Sequence, residues 1–314
     1  MVSAYIALYL FFAGTGAGAF LIGSTVDMAL RLRPALARGW FARVSVVTDA
    51  GLVLGPALVA ASALFLVLDL GVPDRAYYLL LVSTPSLLSL GAWGITGFCL
   101  SAVLALVAGA LAGDGEDDFE RVAGRVVLRV AEFACSVIAT GLAVFVIGYS
   151  GVFLAMYPSL PFLHTAWIPV LFVVSALACG LASLMACAFF RQAVPGVSEA
   201  VESLLMVDAA LVAVEAVMLG GFLASSLMSG GVQAEAAQLL VSGRLLFLFW
   251  MGVVVLGLVV PLSVDAVCRR ESALLAIALG AACTLAGGFC LRVALLMATE
   301  RFNLAFMSAL GFWN

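Results

Sequence analysis

The chain has 314 residues, 65% of them hydrophobic and only 10% charged, with a formal net charge of -4. A soluble domain is roughly half apolar and about a quarter charged, so a protein with a mean hydropathy of +1.25 lacks the polar surface to face water all round. The small net charge singles out no partner, and nucleic acid is not expected to be one.

Crossing the hydrocarbon core of a membrane takes about 20 apolar residues in a helix. Eight stretches qualify, at 4–30, 44–68, 87–112, 126–155, 166–190, 203–229, 244–266 and 272–298. The first has no basic start, is long and contains Asp27, so it reads as a retained span rather than a signal peptide. Its Gly-Thr-Gly-Ala-Gly run at 14–18 lies inside the span, where small residues let helices approach closely, and is no phosphate loop. The runs are continuously apolar, whereas the strands of a membrane barrel alternate apolar and polar residues over about ten positions. The fold class is therefore an all-α integral membrane protein.

Between the spans, the loops divide sharply by charge. Arg31, Arg33, Arg38 and Arg43 follow the first span, and Arg121, Arg125 and Arg129 precede the fourth. Arg191 follows the fifth, and Arg269 and Arg270 the seventh, while the opposite face has only Arg75, Arg244 and Arg301. Arginine-rich loops stay cytoplasmic, so both termini are expected outward across a bacterial or archaeal cytoplasmic membrane. Ser-Thr-Pro-Ser at 83–86 and Tyr-Pro-Ser-Leu-Pro at 157–161 read as outer turns, and residues 300–314 as an outer interfacial segment.

Haem b in membrane subunits is held between imidazoles. The only histidine, His164, falls in an outer loop. None of the seven cysteines forms a C-x-x-C pair, and most read as small apolar residues within spans. No haem, cluster or metal site is expected in this protein, so any redox metal belongs to a partner.

Ionisable groups inside a membrane are costly and point to function or to pairing. The candidates are Asp27, Asp49, Glu132, Asp208, Glu215, Asp265 and Arg292. Asp265, beside Arg269 and Arg270, reads as interfacial. Asp27 and Asp49 lie near the arginine-rich face, and Glu132 follows Arg129 by three residues, a spacing that permits neutralisation. Asp208 and Glu215, seven apart, share one helix face. A Glu215–Arg292 pair would neutralise both. Apart from Asp265, these groups are also the candidates for a proton path. Aromatic hydroxyls gather on the outer half, at Tyr5, Tyr9, Tyr149 and Tyr157, with Tyr77 and Tyr78 reading as belt residues.

An ordered set of motifs runs along nearly the whole sequence: Tyr-Leu-Phe-Phe-Ala-Gly-Thr-Gly-Ala-Gly-Ala-Phe-Leu at 9–21, Leu-Asp-Leu-Gly-Val-Pro-Asp-Arg at 68–75 and Gly-Ala-Trp-Gly at 91–94. Gly-Tyr-Ser-Gly-Val-Phe-Leu at 148–154, Phe-Val-Val-Ser-Ala-Leu-Ala-Cys-Gly at 172–180 and Gly-Gly-Phe-Cys-Leu-Arg at 287–292 follow. In this order they resemble the NrfD/PsrC-type membrane-anchor subunits of polysulfide-reductase-like molybdenum enzymes. The resemblance implies two four-helix bundles, here 1–157 and 158–314, with a quinone site in the first. It also implies a subunit that exchanges electrons between menaquinone or ubiquinone and a four-cluster ferredoxin-like iron–sulfur partner, which serves a molybdopterin catalytic subunit.

Carried over residue by residue, Tyr149 matches a tyrosine that contacts the quinone head group, Asp69 the acidic position closing the second helix, and Arg75 the arginine that follows. Trp93 is a candidate platform. Where some relatives carry a histidine in helix one, this sequence has Tyr9, which can donate a hydrogen bond but cannot exchange protons near neutral pH. The partners would dock on outer loops 2–3, 4–5 and 6–7. Two other readings remain: a quinone-free anchor of the same fold, and a secondary transporter. Pro56, Pro169 and Pro261 do not fall at matching places in the two halves, as transporter repeats would require.

Overall fold

The computed structural model describes residues 4–33, 35, 39–69, 86–113, 119–156, 161–268 and 274–309. Arg75, Tyr77, Tyr78, Tyr157, Arg269 and Arg270 lie outside the described residues. Among those described, every regular element is helical: α1 (Ala4–Leu32), α2 (Trp40–Thr48), α3 (Ala50–Asp69), α4 (Leu87–Ala112), α5 (Phe119–Ala155), α6 (Trp167–Phe190), α7 (Val197–Ser229), α8 (Gly231–Val241), α9 (Leu248–Val259), α10 (Val260–Cys268) and α11 (Leu274–Ala309). Eight helical stretches are long and apolar enough to span a membrane: α1, α2 with α3, α4, α5, α6, α7, α9 with α10, and α11.

Several boundaries differ from the sequence reading. The second span begins at Trp40 and turns at Asp49, whose N–H reaches back to the Ser45 carbonyl. The segment 231–241, expected to be loop, forms the short helix α8. Helix α11 continues to Ala309, beyond its membrane span, which ends at Thr299. Helix α9 is a π-helix, a wider winding that apolar periodicity does not signal. Its Gly257 packs directly on Gly287 of α11.

Two spans form the centre. The first and fifth each have 67% of their apolar window buried, against 28–39% for the others. Helices α1 to α5 pack on one another and α5 returns to α1; α6, α7, α9–α10 and α11 also pack on one another, and α1 and α5 meet α6, and α2 meets α7, along the seam. The glycines of the first span explain the closeness. A Cβ on Gly18 would strike the Ala176 backbone, and one on Gly180 would lie 2.5 Å from the Ala19 nitrogen. Without a hydrophobic drive between helices in lipid, such backbone contact is what holds spans together.

Candidate functional site

At the end opposite the arginine-rich loops, α4 opens with a cap. Ser86 Oγ accepts from the Ser89 N–H at 3.1 Å, and Ser89 Oγ accepts from the Ser86 N–H at 3.0 Å. This reciprocal arrangement satisfies two of the orphan donors of a helix start and fixes Leu87. The Leu87 carbonyl accepts the Tyr149 hydroxyl at 2.6 Å. One turn on, Gly91 leaves the notch in which the ring lies: a Cβ there would meet the Tyr149 ring at 2.5 Å. Phe145 stacks on Tyr149 at 5.7 Å and Phe153 flanks it at 5.6 Å. Tyr149 is thus built into the α4–α5 interface.

Tyr9 is buried in the core. Asp69, at the same end of α3, is half-buried. Trp93 is 55% exposed and looks out from α4 rather than into the bundle, away from the other candidates. Its neighbours Gly91, Gly94 and Phe98 are the inward face, a phase legible from helical spacing.

Nearer the middle of the membrane, Arg292 of α11 is 1% exposed. Its Nη1 donates to the Gly288 carbonyl at 2.6 Å and to Ser175 Oγ at 3.3 Å. The Glu215 carboxylate of α7 is buried and lies in the field of Arg292. The sequence paired the two charges directly; Arg292 instead donates to the Ser175 hydroxyl and the Gly288 carbonyl, with Glu215 nearby. Phe11 and Phe172 each present a ring 5.6 Å from the guanidinium carbon, within cation–π range. Gly14 makes the room, since a Cβ there would lie 3.1 Å from Arg292 Nη2. Nothing in the sequence singled out Ser175, Phe11 or Phe172 as its partners.

Toward the arginine-rich end, Asp208 is 2% exposed and its Oδ1 has no hydrogen-bond partner among the described residues. Asp265, near the inner end of α10, is buried at 3% in a helix that packs on α7 and α11. The two aspartates lie within electrostatic reach of each other.

A separate group involves α1 and α5. Arg31 Nε meets Asp27 Oδ2 at 2.7 Å, and Arg31 Nη2 meets Glu132 Oε1 at 2.6 Å. Glu132 is therefore tied across helices, a partnership that spacing within one helix cannot reveal. Asp49 is exposed at the α2–α3 turn. The candidates for a proton path accordingly fall into separate groups, Asp27 with Glu132 and Asp208, Glu215 and Arg292 further along the seam. Among the described residues no set of three metal-ligating side chains converges.

The profile of the family described as polysulphide reductase, NrfD, matches residues 2–303. The C subunit of the polysulfide reductase of Wolinella succinogenes is 27% identical over 267 residues, covering 83% of this protein and 81% of that subunit. Fold, composition and the length of this match agree: the chain is a multi-pass membrane protein that belongs to the polysulphide reductase NrfD family.

Proposed function

We propose that this protein is the quinone-interacting membrane anchor of a multisubunit molybdopterin and iron–sulfur oxidoreductase. It would exchange electrons between the membrane quinone pool, menaquinone or ubiquinone, and a four-cluster iron–sulfur partner. The observation that carries the reading is the built position of Tyr149 within a sequence matched by the family from residue 2 to 303. Two phenols, Tyr149 and Tyr9, and the Asp69 carboxylate are groups of the kind that hold a quinone head group and its protons.

A bound quinol supplies two electrons and two protons. The part played by this protein is to hold the head group and take the protons. The Tyr149 proton is committed to the Leu87 carbonyl, so its oxygen serves as an acceptor toward a quinol hydroxyl. Tyr9 offers a second phenol; the Asp69 carboxylate would take one of the two protons, and water at the membrane surface the other. The segment 1–157 is the half that carries this set, and 158–314 is the half that carries Glu215 and Arg292.

Affinity purification of the protein from its native membranes tests this reading. Iron and molybdenum should co-purify, and added quinol should bleach the cluster absorbance. Absence of both metals would defeat the reading. Metals without quinol-dependent bleaching would favour the quinone-free anchor, the alternative that Tyr9 in place of a histidine supports.

The arginine-rich end is assigned to the cytoplasm. Ser242 and Gln192 are exposed at opposite ends of the molecule. In intact cells, Ser242→Cys should react with a membrane-impermeant maleimide and Gln192→Cys should not; the reverse pattern would invert the orientation.

A further inference from the structure

Helices α3 and α4 touch over a shorter stretch than α1 with α3 or α4 with α5. Beside them, toward the arginine-rich end, lies a cavity of about 240 Å³. Its wall is graded along the membrane normal. Asp27, Arg31 and Glu132 form the end near the loops, and Phe20, Leu52 and Ala102 form the end toward the membrane centre. Ala110, which is exposed, lies at its rim.

The charged end is incompletely satisfied. Arg31 is shared between two carboxylates, Asp27 and Glu132, so the three side chains together carry one surplus negative charge when ionised. Glu132 Oε2 is buried and has no hydrogen-bond partner among the described residues. A buried acceptor without a donor costs free energy comparable to a lost hydrogen bond. What completes this site is a cation that brings its own N–H. The apolar end requires that the same ligand also carry hydrocarbon, since water in about 240 Å³ would find polar partners at one end only.

We propose that the cavity is a lipid site that takes the primary ammonium head group of a phosphatidylethanolamine. The ammonium meets Glu132, one acyl chain enters the apolar end, and the other lies outside along α3 and α4. The site selects by charge and by hydrogen bonding. Two carboxylates repel an anionic head group such as phosphatidylglycerol, and the quaternary ammonium of phosphatidylcholine has no N–H to donate. Arg31, one-third exposed, lies on the loop side, where the phosphate of the same lipid sits. This site is separate from Tyr149 and independent of the quinone reading.

The full-length protein, purified in mild detergent and stripped of lipid, is offered equimolar phosphatidylethanolamine, phosphatidylcholine and phosphatidylglycerol, and retention is read by native mass spectrometry. One phosphatidylethanolamine should be held, about ten-fold above either competitor, which corresponds to about 1.4 kcal/mol. Glu132→Gln and Leu106→Trp should each abolish that preference. Because Glu132→Gln also weakens the hold on Arg31, the decisive variant is Leu106→Trp, which places an indole on the cavity wall and alters none of the three charged side chains. Equal retention of the three lipids, preference for phosphatidylglycerol, no retained lipid, or a preference unchanged by Leu106→Trp would each overturn the proposal.

Discussion

Tyr149→Phe should lower quinol-linked turnover of the assembled complex at least about ten-fold while leaving its subunit composition unchanged, a loss of about 1.4 kcal/mol of transition-state stabilisation. The substitution removes one oxygen. It deletes the hydrogen bond to the Leu87 carbonyl, worth about 1 kcal/mol, but keeps the ring between Phe145 and Phe153. Folding should therefore survive. Asp69→Asn should act more strongly on turnover, since an amide cannot take the proton that the proposed role gives the carboxylate. Both effects belong in kcat/KM for quinol, with reduction of the clusters by dithionite unaltered. Unchanged quinol turnover in both variants, with the complex intact, would place the quinone elsewhere or leave this protein a holder of its partners only.

Arg292→Ala should be the most damaging single change in the molecule. The guanidinium is surrounded by Ser175, the Gly288 carbonyl, Phe11 and Phe172. Its removal empties that space and leaves the buried Glu215 without the cation in whose field it lies. Breaking a buried charge pair by removing one partner costs about 3–5 kcal/mol, a large part of the stability of an ordinary domain. The expected result is a steep fall in monodisperse protein after detergent extraction and a markedly lower melting temperature. Glu215→Gln with Arg292→Met should recover much of that loss, because no charge is then stranded. A double variant no more stable than Arg292→Ala would show that Glu215 and Arg292 are not coupled.

The eight spans were legible because a membrane helix declares itself by the length of its apolar run, whatever its phase. The α9 π-winding was not, since an apolar run reads the same in either winding. Helix α8 was missed for a similar reason: Gln233, Glu235 and Gln238 make it too polar to read as a span, and it is short. In the site, the residue types were legible and their partners were not. Glu132 finds Arg31 101 positions away, and Arg292 finds Ser175 117 positions away. No spacing rule reaches so far. Trp93 was within reach, because Gly91, Gly94 and Phe98 already mark the inner face of α4.

The Gly18–Gly180 contact has a consequence for biosynthesis. The first span leaves the ribosome carrying a strip of bare backbone whose partner, the fifth span, is not made until some 150 residues later. Until then lipid tails cannot follow the contour that Ala176 and Gly180 will fill. The N-terminal half must therefore remain in the bilayer as an inserted but unfinished body, waiting for its complement. For the same reason, the two halves made as separate polypeptides retain, in that strip, the surface by which they can find one another.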